Sequence, residues 1–178
     1  NFRIVFSGTP AYQFYVEPII RKNMLTMSLM VLMLTFFFMA ILFGRVSGIF
    51  LPQFVVIMGL AATLGLMALS GVPFTLTSSM LPSILLSVGL TAPIHFMVVF
   101  FKYQKRIGRM RAVIRTLGHS GLPIIMTSLT TIVGLLSFSF TEIAPIAHLG
   151  IFAAIGIAIC LLLTMVFLPA LLSILKVL

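Results

Sequence analysis

A row of polar side chains runs along the third long apolar segment of the chain, with one polar residue at every fourth position. Its members are Ser79, Ser83, Ser87, Thr91 and His95. On a helix of 3.6 residues per turn such a row drifts by about 40° per step, which predicts one polar stripe on an otherwise apolar helix. The chemistry that suits these groups is a hydrated or proton-conducting seam. The alternative is that each hydroxyl bonds to its own preceding turn and packs against small residues.

His95 is the ionisable member of this row. An ionisable group near membrane depth is costly unless it faces protein or water, so His95 is a candidate proton carrier. It also lies about two helical turns before Lys102, and an interfacial histidine directed toward lipid headgroups is an equal alternative. Pro93 lacks an N–H group, so the carbonyl of Gly89 is expected to be released near the middle of the row.

The remaining reactive residues do not form a recognisable site. His119 and His148 have no ligand partners at metal-site spacing, and Cys160 is the single cysteine, so neither a metal nor another cofactor is expected. The sequence contains no nucleophile with its base, no paired acids and no phosphate-binding loop, which argues against an enzyme.

Five apolar segments of about 20 residues must position the polar row, and an α-helix of that length crosses a hydrocarbon layer about 30 Å thick. The composition agrees, since 61% of the 178 residues are hydrophobic and 7% are charged. The expected fold class is all-α transmembrane, with five spans and one cytoplasmic interfacial amphipathic helix. The spans are expected at residues 24–43, 49–69, 80–101, 122–140 and 149–172.

Cations are concentrated in the gaps on one side of these spans, where they would fix the orientation of the chain in the bilayer. By the positive-inside rule the N-terminus is expected to be extracytoplasmic and the C-terminus cytoplasmic. The interfacial helix is expected over 102–117, although Gly108 weakens it. Its interfacial anchors would be Lys102, Lys105, Arg106, Arg109, Arg111 and Arg115. Because the charge of +9 is explained in this way, no nucleic-acid partner is expected.

Small residues and the leading segment complete the predicted organisation. Gly59, Gly65, Gly150 and Ala154 would allow close approach between helices. Residues 1–22 are expected to be the end of an extracytoplasmic domain, with a strand end at 2–6 and a turn at 7–10, and residues 23–178 to be the transmembrane domain. The rest of the external domain and a preceding span are expected to lie outside this sequence.

The order and spacing of several short motifs resemble the resistance-nodulation-division (RND) superfamily, and most of all its hydrophobe and MMPL-type lipid-exporting branch. The resemblance covers nearly the whole chain. Its motifs are Ser7–Pro10, Phe43–Arg45, Leu64–Pro73, Ser87–His95, Arg111–Arg115, Thr127–Gly134, Leu149–Gly150 and Leu168–Leu172. The resemblance implies that the five spans are the second to sixth helices of one six-helix half of a permease with two halves, and that residues 1–22 are the end of its porter-like external domain. It also implies that the permease lies in a bacterial-type inner membrane and exports lipids or other amphiphiles using the proton gradient.

The chain departs from that family at one position of the implied proton relay. The family motif has Asp-Tyr followed by His three residues after the tyrosine, and here Thr91 and Ala92 occupy the acid and tyrosine positions while His95 fits. The relay carboxylate is therefore absent from this half. Either the other half supplies coupling, or the protein is a passive or accessory member.

The leading functional hypothesis is a fragment of an RND-type permease that moves a hydrophobic or amphiphilic molecule outward. Thr91 and His95, followed by Ser87 and Thr131, are the candidates for the transport seam. The expected partners are membrane lipids, the other half of the permease in the same chain or in a second protomer, and other membrane subunits. Two alternatives stay open: a non-transporting scaffold subunit, and a sterol- or lipid-sensing module with the same helical architecture.

Overall fold

The computed structural model describes residues 9–44 and 46–174, and in this part of the chain the regular structure is helical with no strand. Five helical segments are long and apolar enough to cross a membrane. The predicted all-α transmembrane fold is thereby confirmed. The segments are Pro18–Phe43, Ser47–Leu69, Ser78–Ile107, Arg109–Phe140 and Ala144–Ile174.

The first two spans belong to single helices, and the later spans are divided. Helix α1 is Thr9–Phe43 and α2 is Val46–Leu69. The third span begins with a 3₁₀ turn, Ser78–Met80, and continues as α3, Leu81–Val88, and α4, Thr91–Ile107. The fourth is α5, Arg109–Leu136, with a final 3₁₀ turn, Ser137–Phe140. The fifth is α6, Ala144–Leu162, a π-helical turn, Leu163–Phe167, and α7, Leu168–Ile174.

Helix α1 begins before the predicted span and passes through Pro18 without a break. Thr9 and Pro10, which were assigned to a turn, are the first residues of this helix instead. The predicted strand end at 2–6 lies outside the described residues, and the domain boundary at residue 22 stays a prediction.

Residues 102–117 do not form a separate interfacial helix. Residues 102–107 extend α4, residues 109–117 begin α5, and Gly108 divides the two helices with φ 80° and ψ 165°. A positive φ is strained for other residues, so a glycine permits the turn at this point. Helices α4 and α5 then pack against each other as an antiparallel pair. The apolar stripe that predicted the interfacial helix faces outward, since Met110 and Ile114 are exposed while Ala112 and Val113 are buried.

The chain reverses at each end of the bundle, as expected for five successive spans. At one end the ring centroids of Phe43 and Phe101 lie 5.6 Å apart, and the guanidinium of Arg109 donates a hydrogen bond to the carbonyl of Ser173. The first contact joins the ends of α1 and α4, and the second joins the beginning of α5 to the end of α7. We call this the basic end, because all six predicted anchor cations flank Gly108 here. The loops at 70–77 and 141–143 lie at the opposite end.

Two of the predicted packing glycines lie where helices approach so closely that a Cβ atom would collide with a neighbouring helix. At Gly59 it would lie 2.4 Å from Sγ of Cys160, and at Gly150 2.6 Å from the carbonyl oxygen of Leu135. Ala154 is buried. Gly65 makes no such contact, contrary to its predicted packing role, because a Cβ atom there would meet nothing within 4 Å.

We expect Gly150→Ala to lower the free energy of unfolding by about 1–3 kcal/mol, because the new methyl group overpacks a contact with backbone. The matched change Gly65→Ala adds the same methyl group to open space and should raise stability by about 0.5–1 kcal/mol through reduced backbone entropy. Thermal unfolding of the full-length protein in detergent measures both. A Gly150→Ala variant as stable as the parent would contradict the packing described here.

Helix α5 buries two hydroxyl groups that have no hydrogen-bond partner among the described residues. Thr116 is 0% exposed and Ser120 is 1% exposed, and neither hydroxyl oxygen is bonded. They lie on α5 between the buried residues Val113 and Ile124, which belong to the core cluster with Phe96 and Phe100 of α4. By contrast the hydroxyl of Thr164, also 0% exposed, donates to the carbonyl of Cys160 at 2.7 Å.

Removing an unpaired buried hydroxyl should stabilise the bundle, since a buried polar group without a partner costs free energy. We expect Thr116→Val to raise the free energy of unfolding by about 1 kcal/mol, and Thr164→Val to lower it by about 0.5–1.5 kcal/mol through loss of its bond. Unfolding temperatures of the two variants, measured side by side, distinguish these effects. Equal destabilisation by both would mean that Thr116 is hydrogen-bonded in the membrane.

Candidate functional site: a polar groove between α4 and α5

An open, largely apolar groove that contains several hydroxyl groups and one imidazole runs along the contact between α4 and α5. One part has an empty volume of about 370 Å³, with Thr91, Thr127 and Thr131 in its walls. The other has about 380 Å³ and is lined by Thr91, Thr127 and His95. Because the two parts share Thr91, Ala92 and Thr127, they form one continuous groove. We call it the polar groove.

Proline and glycine explain how α4 presents its side of the groove. Pro93 has no N–H to donate to the carbonyl of Gly89, and its ring crowds that carbonyl. Helix α3 accordingly ends at Val88, and α4 begins again at Thr91 after a two-residue turn. Thr91 is therefore in the first turn of α4, and His95 follows one turn later on the same side. Both side chains are exposed.

On the α5 side the hydroxyl hydrogens are used within the helix. Thr127 donates to the carbonyls of Pro123 and Ile124 at 3.0 Å each, and Thr131 donates to the carbonyl of Thr127 at 2.9 Å. This is the intrahelical bonding that was the alternative to a functional seam. The hydroxyl oxygens keep their acceptor lone pairs, so this wall of the groove presents acceptors to whatever occupies it.

Helix α6 closes the back of the polar groove. Ile157, Cys160 and Leu161 line it there. The Cys160 sulfur fits between two glycines, since Cβ atoms at Gly59 and Gly89 would lie 2.4 Å and 3.2 Å from it. Cys160 therefore has the role of a small buried apolar residue that joins α2, α6 and the turn between α3 and α4.

The lining of the groove is largely apolar, and its polar groups carry no formal charge. Among the residues that the structure describes, the lining includes no Asp, Glu, Lys or Arg. Among the described residues no three His, Cys, Asp or Glu side chains come close enough to hold a metal ion. The chemistry that the groove offers is hydrogen bonding from hydroxyl oxygens and one imidazole beside apolar walls.

The structure brings together three of the four residues proposed for the seam. Thr91, His95 and Thr131 line the polar groove. Ser87 does not; it is exposed on α3 and donates to the carbonyl of Ser83 at 2.8 Å. Sequence reasoning missed Thr127, although its spacing of four residues from Thr131 was a signal for a second polar stripe.

The six cations at the basic end have a different setting from the groove. Lys102, Lys105, Arg106, Arg111 and Arg115 are exposed, and Arg109 is half-buried. The Arg115 guanidinium carbon lies 5.9 Å from the centroid of the Tyr103 ring, within range of a cation–π contact. The ring of His119 contacts Tyr103 edge-on, with centroids 6.1 Å apart.

The fold and the apolar spans define an integral membrane domain, and comparison with known families makes this more specific. Residues 45–176 match the family described as the sterol-sensing domain of SREBP cleavage-activation. The match includes all of α2 to α7, and the chain belongs to the sterol-sensing domain family.

Two curated relatives are also membrane proteins by name. The chain is 23% identical over 172 residues to "Putative membrane protein MJ1562" of Methanocaldococcus jannaschii, a match that covers 96% of this chain and 44% of the relative. It is 26% identical over 148 residues to "Membrane protein YdfJ" of Bacillus subtilis, covering 80% of this chain and 20% of the relative. The chain thus spans less than half the length of either relative. No solved structure matches it.

We expect the polar groove to be accessible to water, because Thr91 and His95 have no hydrogen bonds to described residues and polar groups at this depth need protein or water as a partner. In the full-length protein with Cys160→Ala, Thr131→Cys should react with a membrane-impermeant thiosulfonate faster than Thr130→Cys. The control is closely matched, since Thr130 also donates to the carbonyl of Thr127, at 2.8 Å, but lies outside the groove lining. Equally slow reactions would show a dry groove.

Proposed function

We propose that this chain is part of the membrane domain of an RND-type transporter that exports a lipid-like amphiphile, and that the polar groove lies on the transport route. The observation that carries the proposal is the meeting of polar side chains from α4 and α5 in one open groove, on a bundle whose outer surface is otherwise largely apolar. Polar groups inside a membrane are costly and usually face protein or a water-filled cavity.

An amphiphile suits the chemistry of this groove. Apolar walls from Ile157 and Leu161 lie beside hydroxyl oxygens of Thr127 and Thr131. A substrate with a hydrocarbon part and hydrogen-bond donors would contact both surfaces, and sites for such molecules are commonly apolar with a few placed polar groups. No step of this process is enzymatic in our proposal.

Coupling to protons requires a group that this chain does not provide in the groove. Thr91 stands where the RND motif has its acid, and a threonine hydroxyl does not titrate in the physiological range. We propose that a second half, in the same chain or in another protomer, supplies an intramembrane carboxylate, and that His95 lies beside the joint between the halves. The proposed orientation has the basic end in the cytoplasm of a bacterial-type cell.

A second candidate is lipid or sterol sensing, which family membership favours. In that case the polar groove would bind a lipid and change the conformation of the bundle without moving the lipid across the membrane. The scaffold alternative has no specific support from the groove.

A transport assay on the full-length protein separates these functions. The protein is reconstituted in vesicles with an imposed proton gradient, and export of a phospholipid with a fluorescent headgroup is followed. We expect His95→Leu and Thr131→Val to slow export about three- to tenfold, the worth of one hydrogen bond. Thr130→Val, which removes a neighbouring hydroxyl outside the groove, should export at the parental rate.

Each outcome of this assay has a distinct meaning. Parental rates in both groove variants would remove the groove from the transport route. Saturable lipid binding that is weakened by Thr131→Val, in a protein that exports no lipid, would replace transport with sensing.

A further inference from the structure

A second groove lies at the basic end of the bundle, between the end of α1 and the last turns of α4. It is lined by Leu42, Phe43, Val98, Phe101 and Lys105, and its empty volume is about 560 Å³. We call it the basal groove. Its described lining residues are all different from those of the polar groove.

Helix packing explains why the basal groove is open. Helix α1 packs mainly against α2 and α3, whereas α4 packs mainly against α5. Near the basic end the rings of Phe43 and Phe101 form a contact between α1 and α4. Gly48 of α2 lies against the same rings, since a Cβ atom there would be 2.7 Å from Cβ of Phe43 and 3.0 Å from a ring carbon of Phe101. The two rings line the basal groove and also pack against α2.

Among the described residues, the lining of the basal groove has one cation and four apolar side chains. Lys105 is exposed in the last turn of α4. Lys102 is exposed one turn earlier, on the same side of the helix. The acidic side chain that the structure describes, Glu142, lies in the loop at the opposite end of the bundle. The basal groove therefore combines apolar walls with positive charge that no described carboxylate neutralises.

We infer that the basal groove binds one anionic phospholipid, with the phosphate at Lys105 and an acyl chain along Leu42, Val98 and Phe101. Lys105 lies seven positions after Val98, which corresponds to about 10 Å along the helix axis and leaves room for the upper part of an acyl chain. The methylene groups of a lysine side chain cover apolar surface while its ammonium group reaches the headgroup region. A basic pocket between helices on the cytoplasmic side is a setting in which anionic headgroups bind.

The lipid in this site is distinct from the proposed substrate. It would stay at the gap between α1 and α4 and complete the packing there, and its binding does not depend on transport. Failure of this inference leaves the proposed function intact, because the two grooves are lined by different residues.

Photolabelling of the full-length protein tests the site. The probe is phosphatidylglycerol with a photoactivatable diazirine in one acyl chain, and phosphatidylcholine with the same chain is the comparison. We expect phosphatidylglycerol to label the segment around Val98–Phe101 about fivefold more than phosphatidylcholine, since one basic residue near an anionic headgroup is worth about 1 kcal/mol. Equal labelling of this segment by the two lipids would overturn the headgroup contact.

Two pairs of variants separate a site from general surface charge. Lys105→Gln should abolish the preference for phosphatidylglycerol, while Arg106→Gln removes the adjacent charge outside the groove lining and should preserve it. Equal loss in both variants would overturn the inference in favour of diffuse electrostatic attraction.

Val98→Phe should fill the groove and lower labelling by both lipids, whereas Val133→Phe, on the exposed surface of α5, should leave labelling unchanged. Because Lys105 is exposed, its variant tests the site even where Val98→Phe disturbs folding.

Discussion

The absence of water from the hydrocarbon core is the constraint on which this structure depends. Every backbone N–H and C=O at that depth needs a partner within the protein, so the chain crosses as helices and turns back outside the core. The same constraint governs the side chains. Hydroxyls such as Thr63 and Thr164 donate to the carbonyl four residues earlier, and Gln53 of α2, 1% exposed, shares a hydrogen bond with Thr35 of α1. The polar groups of the polar groove stand out because they gather beside an opening.

The spans could be predicted because hydropathy and length are properties of each segment alone. The main boundary error came at the basic end, where Lys102, Lys105 and Arg106 suggested that the membrane segment had ended. The helix continues through these residues, since lysine and arginine form helices well and their charges interact favourably with the C-terminus of α4. Gly108 carried the correct signal for a break, but the amphipathic pattern around it also fitted one continuous interfacial helix.

The polar groove could be predicted only in part, because its lining comes from several helices, mainly α4, α5 and α6. The polar stripe that includes Thr91 and His95 could be predicted from its spacing of four residues. Pro93 indicated the helix break that places Thr91 in the first turn of α4. Which face of α5 meets that stripe depends on packing between α4, α5 and α6, and no local pattern contains this information. Ser87 shows the converse error, since a residue with the correct spacing on α3 bonds within its own helix and faces away from the groove lining.

The π-helical turn at Leu163–Phe167 lets the fifth span serve two separate parts of the core. Inserting one residue into an α-helix rotates everything that follows by about 100°, and a π turn absorbs such an extra residue without a chain break. Before the turn, Leu149, Phe152 and Ala153 pack with residues of α2 and α3; after it, Leu168 and Leu172 join Phe96 and Phe100 of α4. The π-helical turn thus changes which face of the fifth span points into the core. The packing of Leu168 and Leu172 against α4 depends on the one additional residue in this turn, which begins more than ten positions after Phe152.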